Sequence, residues 1–407
     1  MDQTISGIPP IPQNPFGTAP SESPSRVEFA DGRSAFRRLV LRGAFLELVT
    51  VGFYRFWLAT DMRRHLWSHT SVEGDAPEYI GTAKELLIGF LFALAILLPL
   101  YVGYFLLGIE AERLKAFASV PVGLFYYLFF QFAIYRARRY RLTRTIWRGV
   151  RFSMGGSGMN YALRVGLWTL LVTITLGLAL PWRQAALERF KMRHTAYGSL
   201  QGSFEGTGGG LFKRGWWLWL LVAVSWIGLA VLSGIVPVVG VTLMGLLLIA
   251  SPFLYAMYKA IEWRWWMAGI RFGDVHFESE LGTEDLVGLY WKVIGWAVLI
   301  GVAFSAWVGG MSAIAYSQLG DVASGQEAAV RIMQQPVILA GYALGYVAYV
   351  LAFWAVTRIY LIHDLWQRVA GSVTVHNLAL AADVAEQGQT VSALGEGLAD
   401  SLDIGGL

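Results

Sequence analysis

The sequence predicts an all-α membrane protein, a polytopic helical bundle of repeated units with six full spans plus two re-entrant or interfacial segments. Eight full spans are the alternative. Composition is the first reason, because 56% of the 407 residues are hydrophobic, 15% are charged, and the mean hydropathy is +0.50. A water-soluble surface does not tolerate so apolar a chain. The other two reasons are a set of long apolar stretches and one long segment that occurs twice.

Six apolar stretches are long enough to cross the hydrocarbon core of a bilayer, which takes about 20 helical residues. They cover residues 86–108, 118–135, 215–235, 236–258, 287–308 and 336–357. Tryptophan bunches near the ends of such stretches, as at Trp216, Trp217 and Trp263. Its amphipathic ring prefers the boundary between membrane and water. These six stretches are the predicted full spans.

One long segment of the chain occurs twice. Residues 26–82 recur without a gap as residues 151–207, offset by 125 positions. The matched positions include a Thr-x-Gly pair and a histidine in each copy, namely Thr50, Gly52 and His69 in the first and Thr175, Gly177 and His194 in the second. Self-similarity over such a length indicates a repeated architecture.

The apolar parts of the two copies, residues 39–57 and 163–182, have arginines at both ends. A full crossing would translocate one arginine cluster of each pair, against the bias that keeps Lys and Arg cytoplasmic. A re-entrant or interfacial segment removes this conflict. β-Branched residues and glycine in mid-segment predict a break in each helix. The candidate hinges are Thr50, Gly52, Thr175 and Gly177. Two ordinary tilted spans remain the alternative.

Weaker sequence repeats divide the chain into units. Residues 135–152 match residues 255–272, and the arginines and tryptophan near 139–147 match positions near 358–366. We predict a disordered N-terminal tail over residues 1–25, a repeated transmembrane domain over residues 26–377, and an acidic cytoplasmic tail over residues 378–407. The three units of the domain cover about residues 26–150, 151–270 and 271–377.

Three phrases carry a family resemblance. They are Phe29-x-x-Gly32-x-x-x-Phe36, the run from Thr50 to Trp57, and the run from Thr175 to Trp182. Together they resemble the repeated signature of the YjgN family, which are bacterial multi-pass inner-membrane proteins of unknown function. The first copy lacks the proline that the second has at Pro181. The resemblance covers about residues 27–377 and implies a fold and an inner-membrane location, but no catalytic residues.

No pattern in the chain predicts catalysis, a metal or a cofactor. The absence of cysteine excludes disulfides and thiolate ligands. Ser157 lies in a string similar to the nucleophile motif of rhomboid proteases, but no histidine lies inside a predicted span to activate it. We therefore expect a protein that is not an enzyme.

Three ionisable residues form a candidate polar site. Glu47 lies in an otherwise apolar segment, where a charge is costly and suggests a substrate or ion path. Its alternative is pairing with an arginine. His69 and His194 occupy equivalent positions and suit a proton relay, but two histidines are too few for a zinc site. Their alternative is a hydrogen bond to the backbone or to lipid headgroups.

The basic residues beside the spans predict contact with lipids. Arg139, Arg144, Lys259 and Arg264 are interleaved with aromatic residues, a pattern that suits anionic headgroups. Membrane lipids are the expected partners, and nucleic acid is not, because positive-inside topology already accounts for the net charge of +4. Two functions remain open. One is a transporter or channel-like role for a small solute, and the other is a non-catalytic protein that binds anionic lipids or organises partners. Both termini are expected in the cytoplasm.

Overall fold

The computed structural model describes residues 24–30, 32–110, 112–319, 335–381 and 384. The predicted disordered tail lies almost entirely outside these residues, as does most of the predicted acidic tail. Within these residues, pairs of helices alternate with short strands.

The prediction of an all-α fold is wrong, because ten strands form one antiparallel sheet. They are β1 (Ser25–Phe29), β2 (Thr70–Val72), β3 (Glu78–Tyr79), β4 (Thr145–Trp147), β5 (Val150–Met154), β6 (Thr195–Tyr197), β7 (Leu200–Phe204), β8 (Ile270–Phe272), β9 (Val275–Ser279) and β10 (Val373–His376). The sheet order is β2-β1-β10-β9-β8-β7-β6-β5-β4-β3. Strands of two to five residues are too short for the alternation that reveals a strand in a sequence.

The two edge strands of the sheet follow each other in the chain. β2 and β3 are joined by residues 73–77, and Arg148 bonds both Glu73 (2.9 Å) and Asp75 (2.6 Å) from the β4–β5 turn. The sheet therefore curls until its two ends approach. Its concave side holds an apolar core in which Tyr197, Val275 and Val375 are buried.

Each helical hairpin starts from one strand and returns to its neighbour. The helices are α1 (Arg33–Val49), α2 (Arg55–Ser68), α3 (Ala83–Glu110), α4 (Glu112–Thr143), α5 (Gly158–Ile174), α6 (Leu180–Arg193), α7 (Gly208–Ile235), α8 (Pro237–Gly269), α9 (Thr283–Leu319), α10 (Pro336–Thr357) and α11 (Leu365–Gly371), with a π-helix (Arg358–Asp364) between the last two. The described residues thus form five strand–helix–helix–strand units. A short 3₁₀ helix, Leu378–Ala381, follows β10.

The prediction of six or eight spans is also wrong. Among the described residues, five helices are long and apolar enough to cross a membrane, and they cover Ala83–Leu106, Gly208–Ile235, Pro237–Gly269, Thr283–Ser317 and Pro336–Gly371. Their leucine, isoleucine and valine side chains are widely exposed on the outer surface of the protein. Such a surface needs a lipid environment and indicates a membrane protein.

The predicted broken segments are helical hairpins with a turn at the tip. α1 and α2 have 17 and 14 residues, as do α5 and α6. At 1.5 Å per residue they reach about 26 and 21 Å, short of the roughly 30 Å of a hydrocarbon core. The predicted span 118–135 lies in α4, whose aromatic middle and charged ends leave it out of the five.

Candidate functional site

A charged chamber lies where the helical hairpins meet the sheet. Three helices each place two ionisable residues on it at a spacing of three, which puts both on one helix face. These are Arg138 and Arg141 on α4, Glu188 and Lys191 on α6, and Lys259 and Glu262 on α8. The chamber has a volume of about 610 Å³. Four cations against two carboxylates leave it with a positive excess.

Hydrogen bonds connect the charged residues across the chamber. Glu188 accepts from Lys191 and lies 3.4 Å from the Arg138 guanidinium. On the facing helix, Lys259 Nζ lies 2.6 Å from the Glu262 carboxylate, which also accepts a hydrogen bond from Gln184. The network therefore joins three helices from three consecutive units.

Burial and charge act in opposite directions on Glu188. Its side chain is 15% exposed, and burial alone would raise the pKa of the carboxyl. The charges of Lys191 and Arg138 outweigh burial and hold the pKa of Glu188 below its ordinary value. Burial lowers the pKa of Lys191 despite the nearby carboxylate. The chamber thus keeps an ionised acid beside a lysine that is costly to charge.

Tryptophan rings line the rest of the chamber. Trp67 of α2 and Trp366 of α11 stack with centroids 5.0 Å apart and are fixed by indole N–H bonds to Thr145 (3.1 Å) and Thr70 (2.9 Å). Both rings also line a second cavity, of about 320 Å³, inside the sheet. The Trp266 indole N–H is shielded from solvent and lies near the Glu188 carboxylate, whose pKa it helps to lower.

An apolar crevice adjoins the chamber on the membrane side. It has a volume of about 690 Å³ between α7, α8, α9 and the tip of the α5–α6 hairpin. Tyr258 lines the crevice and Gln184 lines the chamber, and the tyrosine hydroxyl donates to the Gln184 amide oxygen at 3.1 Å. This hydrogen-bonded pair separates an apolar space from a cationic one.

The candidate hinge residues form the same turn in both short hairpins. Each threonine hydroxyl donates to the carbonyl four residues earlier, at 2.7 Å for Thr50 and 2.8 Å for Thr175. Gly52 and Gly177 have φ of 87° and 91°, a region that favours glycine. The tip at Gly177 also forms one wall of the apolar crevice, which links this predicted position to the site.

The candidate lipid-contacting residues lie in different surroundings. Lys259 lines the chamber, as described above. Arg144 is 8% exposed and bonds Glu85 of α3 at 2.9 Å, so its guanidinium is engaged within the protein. Arg139 and Arg264 are half-buried near the ends of α4 and α8.

The candidate polar residues are not brought together. Glu47 is buried and forms a two-point ion pair with Arg358, at 2.7 and 2.8 Å, across 311 positions of sequence. His69 and His194 each point Nδ1 at the carbonyl four residues earlier, at 2.7 Å in both cases. Their neighbouring strands, β2 and β6, are six places apart in the sheet order.

Sequence patterns alone do not predict the chamber. They do not single out Glu188, Glu262 or Gln184, and they explain the basic residues nearby as topology signals and lipid contacts. A signal was present, because ionisable pairs at a spacing of three occur just past an apolar stretch on several helices. This spacing indicates a shared site only when the ends of the three helices are known to converge.

Comparison with known proteins gives a family and no further relatives. A family model described as bacterial protein of unknown function (DUF898) matches residues 24–401. No curated protein and no solved structure matches the chain. The family match confirms the resemblance that the repeated Thr-x-Gly phrases predict. The chain belongs to the DUF898 family of bacterial proteins of unknown function.

Proposed function

We propose that this protein binds an anionic phospholipid, with the headgroup in the charged chamber and an acyl chain in the apolar crevice, in a non-catalytic role. The observation that carries the proposal is the hydrogen bond between Tyr258, which lines the crevice, and Gln184, which lines the chamber. A molecule with a charged head and an apolar tail has the chemistry to occupy both.

The two spaces have the sizes and surfaces that such a ligand needs. Their volumes of about 690 and 610 Å³ fall within the range of small-molecule sites, about 300–1,000 Å³. A phosphate adds a negative charge where cations outnumber carboxylates, and each cation near a headgroup contributes roughly 1 kcal/mol. Each methylene of a buried acyl chain contributes about 0.8 kcal/mol when it leaves water.

Lipid retention tests the proposal directly. The purified protein is delipidated, incubated with phosphatidylglycerol or phosphatidylcholine, and analysed by native mass spectrometry. Arg141→Gln with Lys259→Gln should reduce phosphatidylglycerol retention at least tenfold, because the positive excess is lost. Glu188→Gln with Lys191→Gln is the matched control, since it also removes two charges but keeps that excess. Equal retention by the neutralised variant and the wild type would refute headgroup binding in the chamber.

Two further variants separate the chamber from the general surface. Lys213 and Arg214 lie exposed at the start of α7, and replacing both with Gln should leave tight retention unchanged. Gly215 faces the crevice, where a Cβ would meet Tyr258 at 4.0 Å. Gly215→Leu therefore projects into the tail space and should weaken retention without opposing the fold. A loss of lipid retention in the variant with Lys213 and Arg214 replaced would assign the lipid to the outer surface.

Transport of a small organic anion is the second candidate. Trp67 and Trp366 line both the chamber and the cavity inside the sheet, so the two spaces share a wall. Movement of these rings would join them along one path. Anion flux into proteoliposomes, increased by Trp67→Ala, would favour transport, and an absence of flux in both proteins would leave lipid binding as the role.

We also propose that the sheet faces the cytoplasm of a bacterial cell, with the helices in the inner membrane. The arginine-rich helix ends adjoin the sheet, which agrees with the positive-inside bias. Since the chain has no cysteine, single cysteines at Gly32 and Arg368 report the orientation. Both should resist an impermeant reagent in intact spheroplasts and react after lysis. Reaction before lysis would place the sheet outside.

A further inference from the structure

Two histidines and a glutamate gather on the outer face of the sheet, away from the chamber. His276 of β9 and His376 of β10 are directly opposite each other, with stacked rings 4.6 Å apart. Glu278 is two residues along β9 and so shares their face. The three side chains have donor atoms that all lie within 4.8 Å of one another. Val275 and Val375 alternate with them and point into the core.

The ring nitrogens are already oriented for a ligand. His276 directs Nδ1 at the Asp274 carbonyl at 3.3 Å, which requires a proton on Nδ1 and leaves a lone pair on Nε2. Such a carbonyl partner is typical of metal-binding histidine. Asn377, which follows β10, donates to the same carbonyl at 3.2 Å. The arrangement therefore rests on two adjacent strands held in register.

The second histidine has an unsatisfied nitrogen. His376 Nε2 is shielded from solvent, makes no hydrogen bond, and lies 3.5 Å from the Glu278 carboxylate. Buried polar atoms without a partner are uncommon in proteins, and each calls for a cause. A cation between the nitrogen and the carboxylate would satisfy both groups.

We propose that His276, His376 and Glu278 form a binding site for a divalent transition metal of the Zn²⁺ class. Two imidazoles and one carboxylate are a known zinc ligand set, and the fourth position stays open to water. Tetrahedral bonds of about 2.0–2.1 Å place donors about 3.3 Å apart. The histidine–glutamate distance already approaches this value. Glu278 is 64% exposed and free to rotate toward the pair.

The site has a structural consequence at the seam of the sheet. Among the described residues β10 is the last strand, and it lies between β9 and β1, the first of these strands. A metal bound by His276 and His376 links β9 to β10 and so fastens the C-terminal strand to the rest of the sheet. The metal-bound protein should therefore be more stable than the metal-free protein, by mass action.

Metal titration of the full chain tests the site. The protein is purified in detergent with its affinity tag removed, stripped with chelator, and titrated with Co²⁺ followed by Zn²⁺ competition. One equivalent should bind, with the visible absorption of tetrahedral Co²⁺. His276→Ala and His376→Ala should abolish it, and Glu278→Gln should weaken it at least about tenfold. His194→Ala is the control, because its Nδ1 also bonds a backbone carbonyl but it lies apart from the cluster.

Several outcomes would overturn the proposal. They are wild-type binding below half an equivalent at 100-fold excess of metal over protein, or unchanged affinity in both histidine variants. Should the histidine variants fail to fold, the exposed Glu278→Gln variant decides. Zinc should raise its melting temperature less than that of the wild type, and an equal rise in both proteins would exclude the carboxylate as a ligand.

Discussion

The ion pair between Glu47 and Arg358 gives the sharpest test of how the two ends of the chain are joined. It connects α1 to the start of the π-helix and leaves each residue less than 10% exposed. Both guanidinium bonds, at 2.7 and 2.8 Å, are charge-assisted. Removing one member of a buried pair leaves an uncompensated charge and costs about 3–5 kcal/mol. Glu47→Leu should therefore lower the free energy of unfolding by that amount.

A double variant distinguishes the effect of the ion pair from the effect of each charge alone. Glu47→Leu with Arg358→Leu removes both charges, and replacing a buried pair with apolar residues is often neutral or stabilising. The double variant should recover most of the lost stability. Glu205→Gln is the control, since Glu205 is 66% exposed in its pair with Arg271 and such pairs contribute about 1 kcal/mol or less.

Reversible unfolding in mixed micelles measures these free energies. The reasoning is refuted if Glu47→Leu costs less than about 1 kcal/mol, which would mean that Arg358 finds water or another partner. It is also refuted if the double variant is at least as unstable as the Glu47 variant alone. In that case, the two side chains would act through packing and not through their charges.

Two further predictions concern the short hairpins and the chamber. Gly52→Leu and Gly177→Leu should each lower the free energy of unfolding by about 1–2 kcal/mol, because both glycines have positive φ. Gly228→Leu, in open space on α7, should not lower it, and equal free energies of unfolding for all three variants would contradict the turn geometry. The carboxylate of Glu188, whose pKa is lowered by two cations against the effect of burial, stabilises the fold above its ordinary pKa of 4.5. This contribution is lost as the pH falls through the lowered pKa, so the melting temperature of Glu188→Gln should fall less on acidification than that of the wild type. Equal falls in melting temperature for the two proteins would exclude a stabilising role of the Glu188 charge.

The sequence predicted the membrane class and the paired short segments, but not the sheet. The strands carry little pattern of their own, although their turns do. Gly149, Gly198 and Gly273 belong to two-residue connections between apolar residues, and such connections mark a β-hairpin. These connections lie between apolar stretches, and in the sequence they are more simply interpreted as loops between spans than as hairpins.

The chamber was less predictable than the turns, because it forms only where the ends of three distant helices meet. Arg138, Lys191 and Lys259 lie on three different helices, and each residue is more than 50 positions from the next along the chain. Hydropathy and charge bias explain each of them alone as a residue at a membrane boundary. The pairing of Glu47 with Arg358 is similar, since no local pattern connects residues 311 positions apart. Such contacts follow from the order of strands in the sheet.

A structure determined with lipid retained tests the central claim most directly. The protein is reconstituted in nanodiscs that contain phosphatidylglycerol and imaged by electron cryomicroscopy. We predict headgroup density within hydrogen-bond distance of Arg141 or Lys259, continuous past Tyr258 with chain density in the crevice beside Gly177. Lipid density confined to the outer helix surface, with the chamber and the crevice both empty of lipid, would contradict it.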